Sequence, residues 1–183
     1  MTTAIDTISP QSLMSEVLEA WPGAQRALFR KYHIGGCSSC AFRPEETLAQ
    51  VCARNNNLDV SEVLEYLRHS NDEDSKIIIT PAELAELLQR EPSTKLLDVR
   101  SREEFEAVRI QGSVLMSQPT VQEIMARCPR ENVFVIVDHD GKRGLDAAAY
   151  FTGHGFNGVR CLRGGIDAWA REVDTKMRRY KLA

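Results

Sequence analysis

The chain has no run approaching the ~20 apolar residues that a helix needs to cross a bilayer. Its first thirteen residues, MTTAIDTISPQSL, have neither a basic n-region nor an apolar h-region, so a secretory signal is not expected. There is no surplus of positive charge either. With 23 Lys and Arg against 26 Asp and Glu the net charge is −3, which gives no electrostatic reason to expect nucleic acid or an anionic membrane as a partner. Cysteine is scarce: five residues, an odd number, of which only Cys37 and Cys40 are close together. That does not form a disulfide framework, and in a reducing compartment it points to one reactive or metal-binding pair with scattered bystanders. Internal repeats and low-complexity tracts are missing too. The expected location is the cytoplasm.

What is present is an ordinary globular composition, 43% hydrophobic and 27% charged over 183 residues. That length buries one good core, or one core plus a small second unit. From Ser12 to about Leu67 the apolar spacing is helical throughout. Leu13, Val17 and Leu18 share a face, and Ala27 and Leu28 begin another after the break at Trp21-Pro22-Gly23. A third helix is expected after Pro44, with Leu48, Val51 and Cys52 on one stripe. A fourth is announced by Asp59 as N-cap and Glu62 three residues on. Asn71-Asp72-Glu73-Asp74-Ser75 breaks the periodicity and reads as a solvated acidic linker. The expected division is a helical unit over 1–70, a linker over 71–76, a second unit over 77–175 and a basic tail over 176–183, the tail read as a solvated helix end.

In the second unit the pattern changes. Short β-branched or leucine-rich runs at Ile77–Ile79, Lys95–Val99, Ser113–Met116, Val133–Val137 and Gly158–Leu162 alternate with helical stretches. Thr80-Pro81-Ala82-Glu83 is a helix start, with a cap, Pro at N1 and Glu at N3. Alternation of this kind implies an α/β fold, a largely parallel sheet with helices on both faces, here preceded by a small all-α domain. The run VFVIV ends in Asp138-His139-Asp140-Gly141-Lys142-Arg143, a polar loop delivered to the sheet edge where ligands usually bind.

Leu97-Asp98-Val99-Arg100 followed by Glu103-Glu104-Phe105, then Ile110-Gln111-Gly112-Ser113, and finally Gly155-Phe156, Val159, Leu162-Arg163-Gly164-Gly165 and Trp169 resemble, in order, the signature of the rhodanese family over residues 76–173. The resemblance implies sulfane-sulfur transfer by a cysteine directly after the central strand, in a loop whose backbone N–H groups cradle a thiolate or persulfide. Gly141 and Arg143 stand where the family has its loop glycine and closing arginine, and the nucleophile position is Asp138. A carboxylate cannot carry a persulfide. Val108 and Arg109 also replace the family's Gly-His, and Gln111 its Pro. The expected domain is therefore a catalytically silent rhodanese whose loop, residues 138–143, binds. Cys161 reads as a buried core thiol, and Cys128 precedes the central strand, at the opposite end of the sheet from the loop. A metal site at His139, an acyl-phosphate on Asp138 and a merely solvated loop are the other readings, the last being the plainest for these side chains.

In the first unit, His33-Ile34-Gly35-Gly36-Cys37-Ser38-Ser39-Cys40 places two cysteines three apart. Such a pair can close a small disulfide or bind one face of a metal. A following helix N-terminus and Arg43 would favour a thiolate. Together with Val17–Pro22, Glu46-Thr47-Leu48 and the Asp59-to-Leu67 helix, this stretch resembles the hybrid-cluster-protein-associated redox disulfide domain, which implies thiol-redox or iron–sulfur-related work by Cys37 and Cys40. Zinc held by His33, Cys37, Cys40 and Cys52 is the alternative, although Cys52 shares an apolar stripe. An inert pair is the third reading. His69 and His154 read as surface histidines.

Two hypotheses from different classes follow. In one, a redox or sulfur-relay protein works without a cofactor through Cys37 and Cys40 and meets a sulfur- or redox-handling protein partner. In the other, the chain is a non-enzymatic scaffold with zinc or an inert CxxC. Sulfurtransfer through some other residue of the rhodanese-like unit is a third possibility. Oligomeric state and an iron–sulfur cluster shared between chains stay open at this point.

Overall fold

The computed structural model describes residues 8–35 and 42–180. The chain divides into two compact units, Met1–Lys76 and Ile77–Ala183. Among the described residues no helix is long and apolar enough to cross a membrane.

The first unit is helical: α1 Met14–Ala20, α2 Ala24–Tyr32, α3 Leu48–Arg54 and α4 Val60–Ser75. Met14, Val17, Trp21, Leu28, Leu48, Val51, Val63 and Leu67 pack in one apolar cluster, which supplies the stabilisation that such short helices lack alone. The expected helix after Pro44 starts only at Leu48. Thr47 and Gln50 form a capping box there, Leu13 and Thr47 make an antiparallel bridge, and the residues before Thr47 form a turn in which Glu46 N–H meets the Arg43 carbonyl at 3.2 Å. The acidic linker is a correction. Residues 71–75 are the end of α4. Asp74 is buried and paired with Arg26 of α2, and Asp59 caps the other end by accepting the N–H groups of Ser61 and Glu62. A tertiary ion pair extends this helix past its apolar periodicity.

The second unit contains β1 Ile78–Ile79, α5 Pro81–Arg90, β2 Lys95–Asp98, α6 Arg102–Ala107, β3 Ser113–Leu115, α7 Gln118–Arg127, β4 Phe134–Val137, α8 Lys142–Gly153, β5 Val159–Leu162 and α9 Gly165–Glu172. The five strands form one sheet in the order β1-β5-β4-β2-β3, and every pairing is parallel. β4 is central and wholly buried. Because side chains alternate along a strand, Val135 and Val137 join Leu84, Leu162 and Trp169 on one face. Phe134 and Ile136 join Leu145, Phe151 and Cys161 on the other. Both faces are covered, as an all-parallel sheet requires. The alternation continues past the strand and sends the Asp138 side chain to the α8 face.

Candidate functional site: the loop after the central strand

β4 ends against the start of α8, and the turn between them is built around one carboxylate. Asp138 is 1% exposed. Its Oδ1 accepts the Gly141 N–H at 2.7 Å and its Oδ2 the Gly144 N–H at 3.0 Å. These donors lie at the N-terminus of a twelve-residue helix, where unsatisfied N–H groups and the helix dipole favour an anion. Burial pushes the Asp138 carboxyl above the usual aspartate range, while the N–H groups of Gly144, Gly141 and Arg143 oppose that rise. The plain reading of a solvated loop therefore fails at its first residue. The other loop side chains are more open: Asp140 is exposed and pairs with Lys142 at 3.6 Å, and Arg143 is exposed, reaching toward the Val99 carbonyl at 3.5 Å.

The loop packs closely on its neighbour after β5. Ile166 donates to the Asp138 carbonyl at 2.8 Å and Asp167 to that of His139 at 3.2 Å. A Cβ on Gly165 would lie 2.5 Å from the Asp138 carbonyl oxygen and from the His139 backbone, and Gly165 has φ +57. Only glycine accepts both the approach and that φ without strain. Cys161 is buried in β5 with its Sγ donating to the Gly141 carbonyl at 3.5 Å. It is a core thiol lying against the base of the loop. Cys128 caps the C-terminus of α7, before β4, and is half-buried.

Beside the loop lies a buried ion pair between Asp98 and Arg100. Asp98, 0% exposed, ends β2. It accepts Nε and Nη2 of Arg100, which is 5% exposed, at 2.9 and 2.7 Å. The remaining guanidinium donors go to the Val108 carbonyl and the Tyr180 hydroxyl, both at 2.7 Å. The signal in the sequence was a carboxylate closing an apolar strand with an arginine two residues on. Tyr180 carried no such signal. The basic tail is a second correction. Residues 177–180 are not a solvated helix end; they fold over the loop, with the Tyr180 ring 4.6 Å from His139. An aromatic anchor and charge pairing on α9 hold them there, neither of which shows as periodicity.

Of the residues expected to act in the first unit, Cys37 and Cys40 lie outside those described. The helix N-terminus expected just past Cys40 begins only at Leu48. His33 is exposed and left-handed at the C-cap of α2. Cys52 is in the core, and burial pushes its thiol up, which disfavours the thiolate that zinc needs.

Residues 80–172 match the rhodanese-like domain family. The chain belongs to it. The thiosulfate sulfurtransferase GlpE of Pseudomonas savastanoi pv. phaseolicola is 33% identical over 89 residues, 49% of this chain and 83% of that protein. The probable adenylyltransferase/sulfurtransferase MoeZ of Mycobacterium tuberculosis is 33% identical over 104 residues. This chain spans 26% of its length and that match covers 56% of this chain. Among solved structures, the reduced CoADR-RHD of Bacillus anthracis aligns with a TM-score of 0.51 and 19% identity, covering 76% of this chain and 23% of that one. It shares the fold. The rhodanese-like domain here is the parallel sheet and helices of the second unit, and its relatives bear sulfurtransferase names.

Proposed function

We propose that this chain is a sulfur-relay protein in which the rhodanese-like domain binds and the thiols of the first unit carry sulfur. The observation behind this reading is that the Asp138 carboxylate accepts Gly141 and Gly144, the backbone donors of its own loop. On the family resemblance Asp138 stands at the nucleophile position. A carboxylate there supplies no sulfur nucleophile, and it fills the cradle with an anion belonging to the chain. Cys161 supports no alternative, since its thiol is buried and turned to a carbonyl.

Sulfur handling then falls to Cys37 and Cys40. Whichever is more exposed attacks the outer sulfur of a persulfide on a partner protein, forming Cys–S–S⁻ and releasing the partner's thiolate. The other thiol can resolve a mixed disulfide formed with that partner. The partner is itself a sulfur- or redox-handling protein, and no bound cofactor is required. The loop over 138–143 and its exposed Lys142 and Arg143 are the binding face.

Intact-mass analysis of the full chain after exposure to a low-molecular-weight persulfide tests this. The expected result is a gain of sulfur mapping to Cys37 or Cys40, lost in the Cys37→Ser/Cys40→Ser double variant and kept in Asp138→Asn. Thiosulfate-to-cyanide turnover by that double variant would overturn the reading. So would thiols that alkylate only after a chelator is added, which would mean zinc.

A further inference from the structure

The segment after α9 folds back over the loop that follows β4. The backbone turns at Asp174–Met177, where Met177 N–H meets the Asp174 carbonyl at 2.9 Å, and runs back over the loop face. Arg179 lays Nε and Nη2 on the two carboxylate oxygens of Asp167 at 2.8 and 3.2 Å. The Tyr180 hydroxyl accepts from Arg100 Nη1 at 2.7 Å and donates to Glu104 Oε1 at 2.8 Å. His139 Nδ1 is shielded there without a hydrogen-bond partner among the described residues. A cavity of about 470 Å³ lined by His139, Asp167, Arg179 and Tyr180 remains between segment and loop. So the cover is partial.

Charge describes what fits. In sequence, residues 176–181, Lys-Met-Arg-Arg-Tyr-Lys, carry four cations and one aromatic residue. Arg179 and Tyr180 meet two carboxylates, Asp167 and Glu104; Asp167 also pairs with Arg171 of its own helix at 3.3 Å, and Asp140 on the loop pairs with Lys142. We propose that residues 177–180 are an autoinhibitory strap, an intramolecular ligand held on Asp167 and Glu104 in a cleft beside the loop, and that the other occupant of those two carboxylates is a basic segment of a partner protein carrying an aromatic ring. Arg179 is half-exposed in its pair with Asp167, and such surface pairs hold weakly, so the strap can leave without unfolding the sheet. A seated strap reduces the apparent affinity of any competitor to its intrinsic affinity multiplied by the fraction of time the cleft is open. The inference does not depend on sulfur chemistry, and peptide binding alone reads it.

A fluorescein-labelled peptide of sequence DTKMRRYKLA is titrated against the native full chain and against its Arg179→Ala/Tyr180→Ala variant. The variant is expected to bind the peptide about tenfold more tightly, the factor for a cleft closed about nine-tenths of the time. The peptide with alanine in place of its tyrosine should bind neither. Arg179→Ala alone leaves the Arg100–Tyr180 contact in place and guards against misfolding of the double variant; it should shift affinity in the same direction by less. Asp167→Lys added to the double variant should abolish binding. Equal affinity for native and strap-less chains, no binding to any folded variant, or binding that survives Asp167→Lys would each overturn the proposal.

Discussion

Asp138 is buried, yet it sits at a helix N-terminus with backbone donors on both oxygens. Burial wins, and its proton affinity lies above that of an unfolded aspartate. An acid raised in this way adds stability that is fully present below the unfolded value and is lost as pH rises through the folded one. The stability of the native chain relative to Asp138→Asn should therefore fall as pH rises above the ordinary aspartate range, about pH 4. Urea titrations of both proteins at several pH values check this, and a flat difference would show that burial is not felt by the carboxylate. Asp98 and Arg100 are the opposite case, two buried charges that satisfy each other. Arg100→Ala leaves the Asp98 carboxylate buried without its cation, keeping the backbone N–H of residue 100, and should cost about 3–5 kcal/mol, read from the same denaturation curves. Both residues were legible as an apolar strand closing in a carboxylate. What each carboxylate meets, the N–H groups at a helix start for Asp138 and a guanidinium together with a backbone N–H for Asp98, was not, because their partners come from loop curvature.

The elements follow their local chemistry closely where caps are present. Thr80 with Glu83, Thr47 with Gln50 and Ser101 with Glu104 each start a helix at the box, and a cap of this kind contributes about 1 kcal/mol. Local chemistry fails at the end of α4, where Asn, Asp, Glu and Ser are helical because Asp74 reaches Arg26. Arg26→Ala should fray that end, seen as faster amide exchange at residues 72–76 with slower exchange retained around Leu67. Uniform exchange along α4 in the variant would show that the pair does not hold it. At the other junction, Gly165→Ala drives a Cβ onto the Asp138 and His139 backbone at an already left-handed φ. It should destabilise the second unit by about 1–3 kcal/mol, measured by thermal unfolding.

At the scale of the whole molecule, each unit buries a core of its own, so the fragment 77–183 should unfold in a single cooperative transition without residues 1–76. The same fragment should not turn over thiosulfate and cyanide, since its described cysteines are half-buried Cys128 and buried Cys161. Turnover that persists in the purified fragment would return the sulfur chemistry to the rhodanese-like domain. The sequence by itself determined the parallel α/β sheet, its strands and the loop at its edge, because apolar period, cap residues and glycine position are local quantities that each element displays in its own residues. Only the tertiary structure decided that Asp138 turns inward onto its own backbone, that an acidic stretch is helix and that a basic tail is folded cover. Each of those depends on a partner distant in sequence or on the direction in which a side chain leaves its strand, and no periodicity records either.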